Sequence, residues 1–358
     1  MAPTREVAVV SYASWSSPAE LQRNEVEMLM PVVAEAVADS GLPREEIGFT
    51  VSGSCDYLIG APFSFVSALD AVGAWPPIRE SHVEMDAAWA LYEAWIQIQK
   101  GSVDSALVYG FGKASSGDPS EIFTLQLDPY TVGPLWPDTI SVAALQARAW
   151  MDRTGGSEQD LVEVGARSLR NWAWANGVDL EPDAVDVLLA QPTIASPLRP
   201  GDIAPDTDGC AAIVLAADDL ARELAARRDL RPAWITGIDH RIEPQALGLR
   251  DLSLSTSTTL AALTAGLADG PVDVAELHTQ FSHEEHILRE ALGLEDGTNV
   301  NPSGGPLQAN PPMTAGLMRI GEAAARVMDG EAGRAVAHAT SGPCLQQNLV
   351  CVLEGEDA

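Results

Sequence analysis

The order of apolar segments constrains the fold of this chain more than any other feature of its sequence. Strand-like and helix-like apolar patterns alternate from Glu6–Ser11 to Asn348–Leu353. Such alternation predicts an α/β protein in which helices cover a sheet. The predicted strands Ser105–Phe111 and Arg334–Ala339 each follow a helical pattern and a glycine, which favours an internal duplication.

The remaining elements follow from the same periodicities. Predicted helices cover Pro18–Ser40, with Pro31 expected to kink the helix, and Val83–Lys100, Thr256–Leu267 and Pro312–Met328. Predicted strands cover Ile47–Val51, Gly209–Ala216, Ala233–Asp239 and Val272–Leu277. Residues 116–205 have few strand signals and many proline breaks, which predicts an insertion that caps the sheet. We therefore expect an N-terminal half, 1–230, that includes this insertion, and a C-terminal half, 231–358.

Composition excludes several classes of function. No run of eighteen apolar residues occurs, so no membrane-spanning helix is expected. The first residues lack the pattern of a signal peptide, so we expect a cytoplasmic protein. The four cysteines are far apart and show no metal-ligand spacing, which argues against a disulfide framework or a zinc site. The net charge of −30 disfavours binding to nucleic acid.

Four segments, in order along the chain, resemble motifs of one known family. Ser196–Arg199 with Asp206–Leu215 resembles "SPLxxxD…SDGAAAxVL", Glu276–Phe281 resembles "ExHDxF", Asn301–Gly305 matches "NPSGG", and Gln346–Leu349 resembles an "LQHN"-like strand entry. These motifs are found in thiolases of the sterol-carrier-protein-x and lipid-transfer-protein type. Thr279 stands where the second motif has its aspartate.

The resemblance implies a fold and an assembly. The expected structure is the thiolase fold, with two duplicated βαβαβ halves in a five-layered αβαβα arrangement and an inserted loop domain. The implied substrate is an acyl-CoA thioester, with coenzyme A as part of the substrate and no tightly bound cofactor. Members of the family form dimers through strands of their sheets. We therefore expect this chain to pair through its central strands, either with a second copy of itself or with another thiolase-like chain.

The chain departs from the family at the residues that define thiolase chemistry. The place of the nucleophilic cysteine, at the start of the helix before the first-half central strand, corresponds to about Glu84. The activating "GHP" histidine corresponds to Asn310, and the second catalytic cysteine falls near His338–Gly342. Only His278 matches a catalytic position of the family directly.

These departures disfavour thiolysis, because that reaction needs a thiolate to carry the acyl group. A site that stabilises a thioester enolate would still serve a retro-aldol cleavage. Relatives that lack the cysteine are aldol-lyases of steroid side-chain acyl-CoAs that act with a small OB-fold partner, which implies the same reaction class and partner here. The tyrosines on which those relatives rely have no counterpart, since the last tyrosine of this chain is Tyr130. Two alternatives remain: an acetyl-CoA acyltransferase that uses another cysteine, and a non-catalytic subunit of a thiolase-like complex.

Several residues are candidates for the site, each with an ordinary structural explanation beside the functional one. His278 is either the enolate-stabilising group or a helix-capping residue. Glu84 and Asp86 are either acid–base groups or acids favoured by a helix N-terminus. His338 belongs either to the site or to the core. No metal site is expected, because His283 and His286 lack a third ligand.

The remaining candidates are expected to line the substrate site or to offer a thiol. The predicted substrate-binding residues are Asn310, Ser303, Gly304, Gly305, Ser341, Gly342 and Cys344. Cys344 and Cys55 are the alternative nucleophiles, and each is otherwise a small buried residue. The tryptophans of the insertion region suit either a bulky apolar substrate or a core: Trp136, Trp150, Trp172 and Trp174.

Overall fold

The computed structural model of the protein describes residues 5–180, 184–228 and 231–356. The strands in these ranges are β1 (Val7–Ser17), β2 (Phe49–Gly53), β3 (Glu80–Val83), β4 (Ser105–Lys113), β5 (Asp208–Ala217), β6 (Ala233–Ile242), β7 (Val274–Leu277), β8 (Asn299–Val300), β9 (Arg334–Ser341) and β10 (Gln347–Glu354). The helices are α1 (Glu25–Ser40), α2 (Asp56–Ile59), α3 (Phe65–Val72), α4 (Ala87–Gln99), α5 (Pro119–Thr124), α6 (Thr139–Thr154), α7 (Glu158–Ala175), α8 (Ala184–Leu189), α9 (Asp218–Arg227), α10 (Thr256–Thr264), α11 (Ser282–Leu292) and α12 (Ala315–Met328).

The strand order shows the internal duplication directly. The sheet runs β3-β2-β4-β5-β1 in the first half and continues β6-β10-β9-β7-β8 in the second. The second half therefore repeats the first in mirror order, with β6 equivalent to β1 and β9 equivalent to β4. The halves join where β1 and β6 pair antiparallel, Ala8 opposite Trp234.

The helices and the two halves of the sheet form five layers, which pack together through three apolar cores. One core lies between the two halves of the sheet and contains the buried faces of α4 and α12, which pack against each other. A second core lies between the first half and helices α1 and α3. A third lies between the second half and helices α10 and α11, and includes residues of α6 and α7. This is the αβαβα layering that the sequence predicted.

Most predicted elements are present, with shifted starts. The strand β1 runs on to Ser17, and α1 begins only at Glu25, where Asn24 and Glu27 form a reciprocal cap. Pro31 lies inside α1 without ending it. Val83, predicted as the start of a helix, ends β3 instead, and α4 begins at Ala87 because Asp86 is its N-cap.

The insertion contains helices α5 to α8 and, in its described residues, no regular strand. It lies against the second half, where α7 contacts α11 and α6 contacts the same helix. The predicted boundary between the halves falls at residue 230. Residues 229 and 230 lie outside the described residues, so the division into halves at that point stays a prediction.

The sheet cannot extend through its central strands. Each strand from β2 to β7 in spatial order already pairs on both sides, so our expectation of pairing through a central strand is wrong. The free edges in the described part of the chain are β3 and the two-residue β8. None of the described helices is both long and apolar enough to cross a bilayer.

Candidate active site

A cavity of about 180 Å³ lies between the central helices, the loops after β7 and β9, and the insertion. Its polar wall comprises Asp86, Asp206, His278, Asn310, Thr340 and Ser341. Its apolar wall comes mainly from the insertion and includes Phe123, Leu127, Ile140 and Val142. An engineered apolar cavity of about 150 Å³ holds benzene, so this cavity has room for a small acyl group and not for a fused ring system.

His278 lies at the end of β7 with both ring nitrogens engaged. The backbone N–H of Thr340 donates to its Nδ1 at 3.3 Å, and its Nε2 lies 3.3 Å from Oδ1 of Asn310. Since Nδ1 accepts a hydrogen bond, this network assigns the proton to Nε2, which donates to Asn310. Burial, the nearby His338 and Arg319 lower the pKa of His278 to about 3. His278 is therefore a neutral hydrogen-bond donor at neutral pH.

Asn310 extends this hydrogen bond into the cavity. Its Oδ1 accepts from His278, which leaves its Nδ2 with no protein acceptor among the described residues. An amide group held in this way presents two N–H donors to the cavity. Together, His278 and Asn310 can stabilise a developing negative charge on an oxygen, as the sequence analysis expected of His278 alone.

Asp86 lies at the bottom of the cavity and caps two helices. Its carboxylate accepts from the backbone N–H of Ala88 in α4, at 2.9 Å, and from those of Gly316 and Leu317 in α12, at 2.9 and 3.1 Å. Burial raises the pKa of Asp86, and the three N–H donors oppose that shift. The structural reading of Asp86 as a helix-capping acid is thus confirmed, although Asp86 also faces the cavity.

Glu84 does not reach the site. Its side chain is half exposed, accepts from the Asp56 backbone N–H at 2.6 Å and lies 3.3 Å from His82. The prediction of Glu84 as a catalytic residue is wrong because α4 begins at Ala87, three residues after Glu84. Asp86 and Ala87, and not Glu84, occupy the start of that helix.

His338 belongs to the core and not to the cavity wall. It is fully buried in β9, and its Nε2 lies 2.9 Å from Oδ1 of Asn348. The Asn348 amide donates to Ser257 and to the backbone of Leu345, so its oxygen faces the imidazole. Burial lowers the pKa of His338 to about 4. The structure therefore favours the alternative that His338 is a core residue over its prediction as a catalytic residue.

Ser303, Gly304 and Gly305 shape a loop beside the site and do not line the cavity. Ser303 Oγ lies 2.8 Å from a carboxylate oxygen of Glu276, and Arg319 pairs with the same oxygen. A Cβ on Gly304 would lie 2.6 Å from Trp172, and one on Gly305 would lie 2.7 Å from the Asn301 amide. These residues pack the loop, so their prediction as substrate-binding residues is wrong.

The Asn301 side chain links this loop to His278. Its Oδ1 accepts from the backbone N–H of Leu277 at 2.6 Å. Leu277 precedes His278, so the motif Asn301–Gly305 fixes the backbone from which the imidazole projects.

The turn after β9 contributes Ser341 and Gly342 to the cavity, as predicted, but not Cys344. The Cys344 thiol points into a small apolar cluster with Val142 and lies 3.7 Å from its carbonyl oxygen. Burial raises its pKa to about 12. Arg250 fixes this turn by donating to the carbonyl oxygens of Pro343 and Cys344.

None of the four cysteines lines the cavity. Burial raises the pKa of Cys55 and of Cys351, and it raises the pKa of Cys210 to about 12. A thiol of high pKa carries little thiolate at neutral pH, so it is a poor nucleophile.

The tryptophans of the insertion region do not line the cavity either. Trp150 stacks on His286, Trp172 packs on Gly304, and the side chains of Trp136 and Trp174 are exposed. The interpretation of these residues as a substrate pocket is wrong.

The charges around the cavity are one-sided. Its titratable lining residues are Asp86, Asp206 and His278, and neither lysine nor arginine lines it.

Asp206 is a site residue that the sequence analysis quoted only as part of a motif. A sequence signal was available, since an acid precedes the predicted strand β5 in the loop that resembles the family motif. Nothing in the pattern, however, told which of Asp202, Asp206 and Asp208 faces the cavity.

Several curated proteins are similar to the chain at low identity. The chain is 26% identical to the acetyl-CoA acetyltransferase of Methanothermobacter thermautotrophicus, with 92% of each chain aligned. It is 23% identical to sterol carrier protein 2 of Homo sapiens, with 88% of this chain and 64% of that protein aligned. No protein-family model matches the chain.

Comparison with solved structures confirms the predicted fold. The Ltp2-ChsH2(DUF35) aldolase superposes with a TM-score of 0.79 at 18% identity, over 98% of both chains. The human mitochondrial 3-ketoacyl-CoA thiolase superposes with a TM-score of 0.76 at 15% identity, over 98% of this chain and 99% of that one. The chain has the thiolase fold.

Removal of the Asp86 carboxylate tests its double capping role. Asp86→Ala leaves three backbone N–H groups at two helix ends without their acceptor, so we expect a loss of unfolding free energy of about 2 kcal/mol or more. The control Asp138→Ala removes the cap of α6 alone, where the side chain accepts from Ser141, and should cost roughly 1 kcal/mol. Urea unfolding measures both, and equal losses would contradict the double cap.

The buried His338 predicts a loss of stability in acid. The pKa of His338 is about 4 in the folded chain, compared with 6.5 for an unperturbed histidine. Between pH 4 and pH 6.5 the unfolded chain therefore binds a proton that the folded chain does not. Stability should therefore fall as pH falls from 6.5 towards 4. His338→Gln should lower the slope of unfolding free energy against pH near pH 5 by up to about 1.4 kcal/mol per unit. Urea titrations at several pH values measure the slope, and an unchanged slope would refute the assignment.

Proposed function

We propose that this chain, which belongs to the thiolase superfamily, is a lyase that cleaves the Cα–Cβ bond of a β-hydroxyacyl-CoA by a retro-aldol reaction. The observation that supports this proposal is the content of the cavity. It combines hydrogen-bond donors suited to an enolate oxygen with the absence of a thiol from its lining. The reaction then proceeds without an acyl-enzyme, and no tightly bound cofactor takes part.

The donors suit the charge that such a reaction develops. Retro-aldol cleavage leaves the bonding electrons on the acyl part as a thioester enolate, whose oxygen carries the negative charge. The Asn310 Nδ2 group, held by the neutral His278, can donate to that oxygen. The neutral His278 acts on this oxygen through Asn310, because its only N–H donates to Asn310 Oδ1 and so orients the amide N–H groups towards the cavity.

Thiolytic cleavage fits the same cavity poorly. It needs a nucleophile that forms a thioester with the acyl group. The carboxylate at the start of α4, Asp86, already accepts three hydrogen bonds, and attack by it would form an anhydride. Acyl transfer remains the second candidate, since a relative is named acetyl-CoA acetyltransferase.

The cavity also bears on the substrate. A volume of about 180 Å³ with an apolar wall suits the branched end of an acyl chain. If the acyl part is a steroid side chain, as in the aldol-lyases that the sequence resembles, the ring system must lie outside the cavity. The reacting carbons alone would then enter the cavity, whose lining includes Phe123 and His278.

We further propose that the chain works in an assembly. The similar Ltp2-ChsH2(DUF35) aldolase contains two different proteins, which supports a partner protein here. The resemblance to aldol-lyases implies that this partner is a small protein of the OB-fold type. The lack of cationic residues in the cavity wall supports it too, because coenzyme A is an anion and the chain carries a net charge of −30. Pairing with a second thiolase-like chain, identical or not, would use the free edge at β3.

A third role, as a non-catalytic subunit, makes a different prediction about the cavity. A purely structural chain would tolerate changes at His278 and Asn310 without any effect on turnover by the assembly. Kinetics of these variants therefore separates the two roles.

Loss of the donors should abolish most of the activity. We expect His278→Ala and Asn310→Ala each to lower kcat by about 10²–10³-fold in cleavage of 3-hydroxy-3-methylbutyryl-CoA to acetone and acetyl-CoA. The control His240→Ala changes an exposed histidine outside the cavity wall and should leave the rate unchanged. Circular dichroism checks that each variant is folded.

Two results would contradict the proposal. Full activity of both donor variants would mean that the cavity does not stabilise an enolate. An acyl adduct on any cysteine, found by intact-mass spectrometry after exposure to a β-ketoacyl-CoA, would instead indicate acyl transfer. If the chain alone turns over nothing, the assay is repeated with the co-encoded partner protein.

A further inference from the structure

The cavity wall contains two carboxylates, and they differ in what they contact. Both oxygens of Asp86 accept hydrogen bonds from backbone N–H groups of α4 and α12. The Asp206 side chain forms no hydrogen bond or ion pair with any residue in the described ranges, yet it lines the same cavity. Its lone pairs are therefore available to a substrate.

The segment that carries Asp206 is held in place along its length. The backbone N–H of Ala204 donates to the Gln280 carbonyl at 2.8 Å, and Ile203 forms a bridge with Phe281. Asp206 itself forms a parallel bridge with Asn310. Because Asn310 accepts from His278, Asp206 lies directly beside the donors for the enolate oxygen.

The surroundings of Asp206 suit a base. Burial against the cavity wall and the nearby Asp118 both raise the pKa of its carboxyl group, although the side chain keeps contact with solvent. The other titratable groups that share its cavity are Asp86, which is held by the helix ends, and the neutral His278. A base is most effective when its pKa approaches the working pH.

We propose that Asp206 is the general base of the retro-aldol step, an inference that rests on the proposed function. The Asp206 carboxylate removes the proton of the β-hydroxyl group, whose oxygen then forms a C=O bond to Cβ. The Cα–Cβ bond breaks, and its electron pair enters the thioester enolate, whose oxygen is stabilised by the Asn310 amide that His278 holds in place. Asp206 then returns the proton to Cα, so the products are a ketone or aldehyde and a shortened acyl-CoA, and no other reactant is consumed.

Asp206→Asn tests this assignment, because it keeps the shape of the side chain and removes its basicity. With 3-hydroxy-3-methylbutyryl-CoA as the probe, and the partner protein present if turnover requires it, we expect kcat to fall at least about 10²-fold. The matched control Asp219→Asn changes an exposed acid of α9 outside the cavity wall, and should keep the rate. Thermal unfolding of both variants confirms the fold.

A second measurement does not depend on C–C cleavage. Since Asp206 contacts solvent, its proton exchanges with water, so the wild type should transfer deuterium from D₂O to Cα of acetyl-CoA. Asp206→Asn should lose this exchange, measured by mass spectrometry, by at least the same factor. The control Asp219→Asn should exchange at the wild-type rate.

The outcomes separate this inference from the proposed function. If the wild type exchanges deuterium but does not cleave the substrate, the lyase proposal is refuted. The role of Asp206 as a base is then decided by whether Asp206→Asn lowers the exchange rate. Cleavage or exchange within threefold of wild type in Asp206→Asn would overturn the role of Asp206 alone. If the wild type, with its partner, neither cleaves nor exchanges, both proposals fail.

Discussion

The carboxylate of Asp86 is the contact on which the arrangement of the site depends. It accepts from the first turns of α4 and α12, one helix from each half, in the buried layer between the two parts of the sheet. Helix N-termini carry partial positive charge, so one carboxylate stabilises two of them at once. The same contact fixes the segment Asn310–Ala315, because Ala87 donates to the Met313 carbonyl beside it.

This contact also decides which chemistry the cavity can support. A residue at the start of α4 that is engaged by three N–H groups stabilises the fold and is poorly placed to carry an acyl group. On the other wall, β7 and the Asn301–Gly305 loop hold His278 against Asn310. The cavity therefore keeps donors for an enolate oxygen and, in its wall, Asp206, which has no hydrogen-bond partner among the described residues. These groups suit C–C cleavage by proton transfer better than acyl transfer through the enzyme.

The sequence predicted the fold well because strands and helices leave periodic apolar patterns, and the two halves repeat them. It placed His278, Asn310, Ser341 and Gly342 in the site because short motifs mark where strands end. It failed at Glu84 because α4 begins three residues after Glu84, so Asp86 is the acid that faces the cavity. It failed at His338 and Cys344 because neighbours remote in sequence, Asn348 and Val142, decide where those side chains point. Asp206 was missed for the same reason, since its bridge with Asn310 spans the two halves.

The most direct test of this account is whether cleavage consumes free coenzyme A. The wild-type chain, with its partner protein, is incubated with 3-hydroxy-3-methylbutyryl-CoA in the presence and absence of added coenzyme A, and all thioesters are quantified by liquid chromatography. Retro-aldol cleavage predicts one acetyl-CoA and one acetone per substrate, at the same rate without free coenzyme A. Acetoacetyl-CoA, which carries the β-keto group that thiolysis needs, is assayed in parallel. Its conversion to two acetyl-CoA with one coenzyme A consumed per turnover, without cleavage of the β-hydroxyacyl substrate, would contradict the account and identify an acyltransferase.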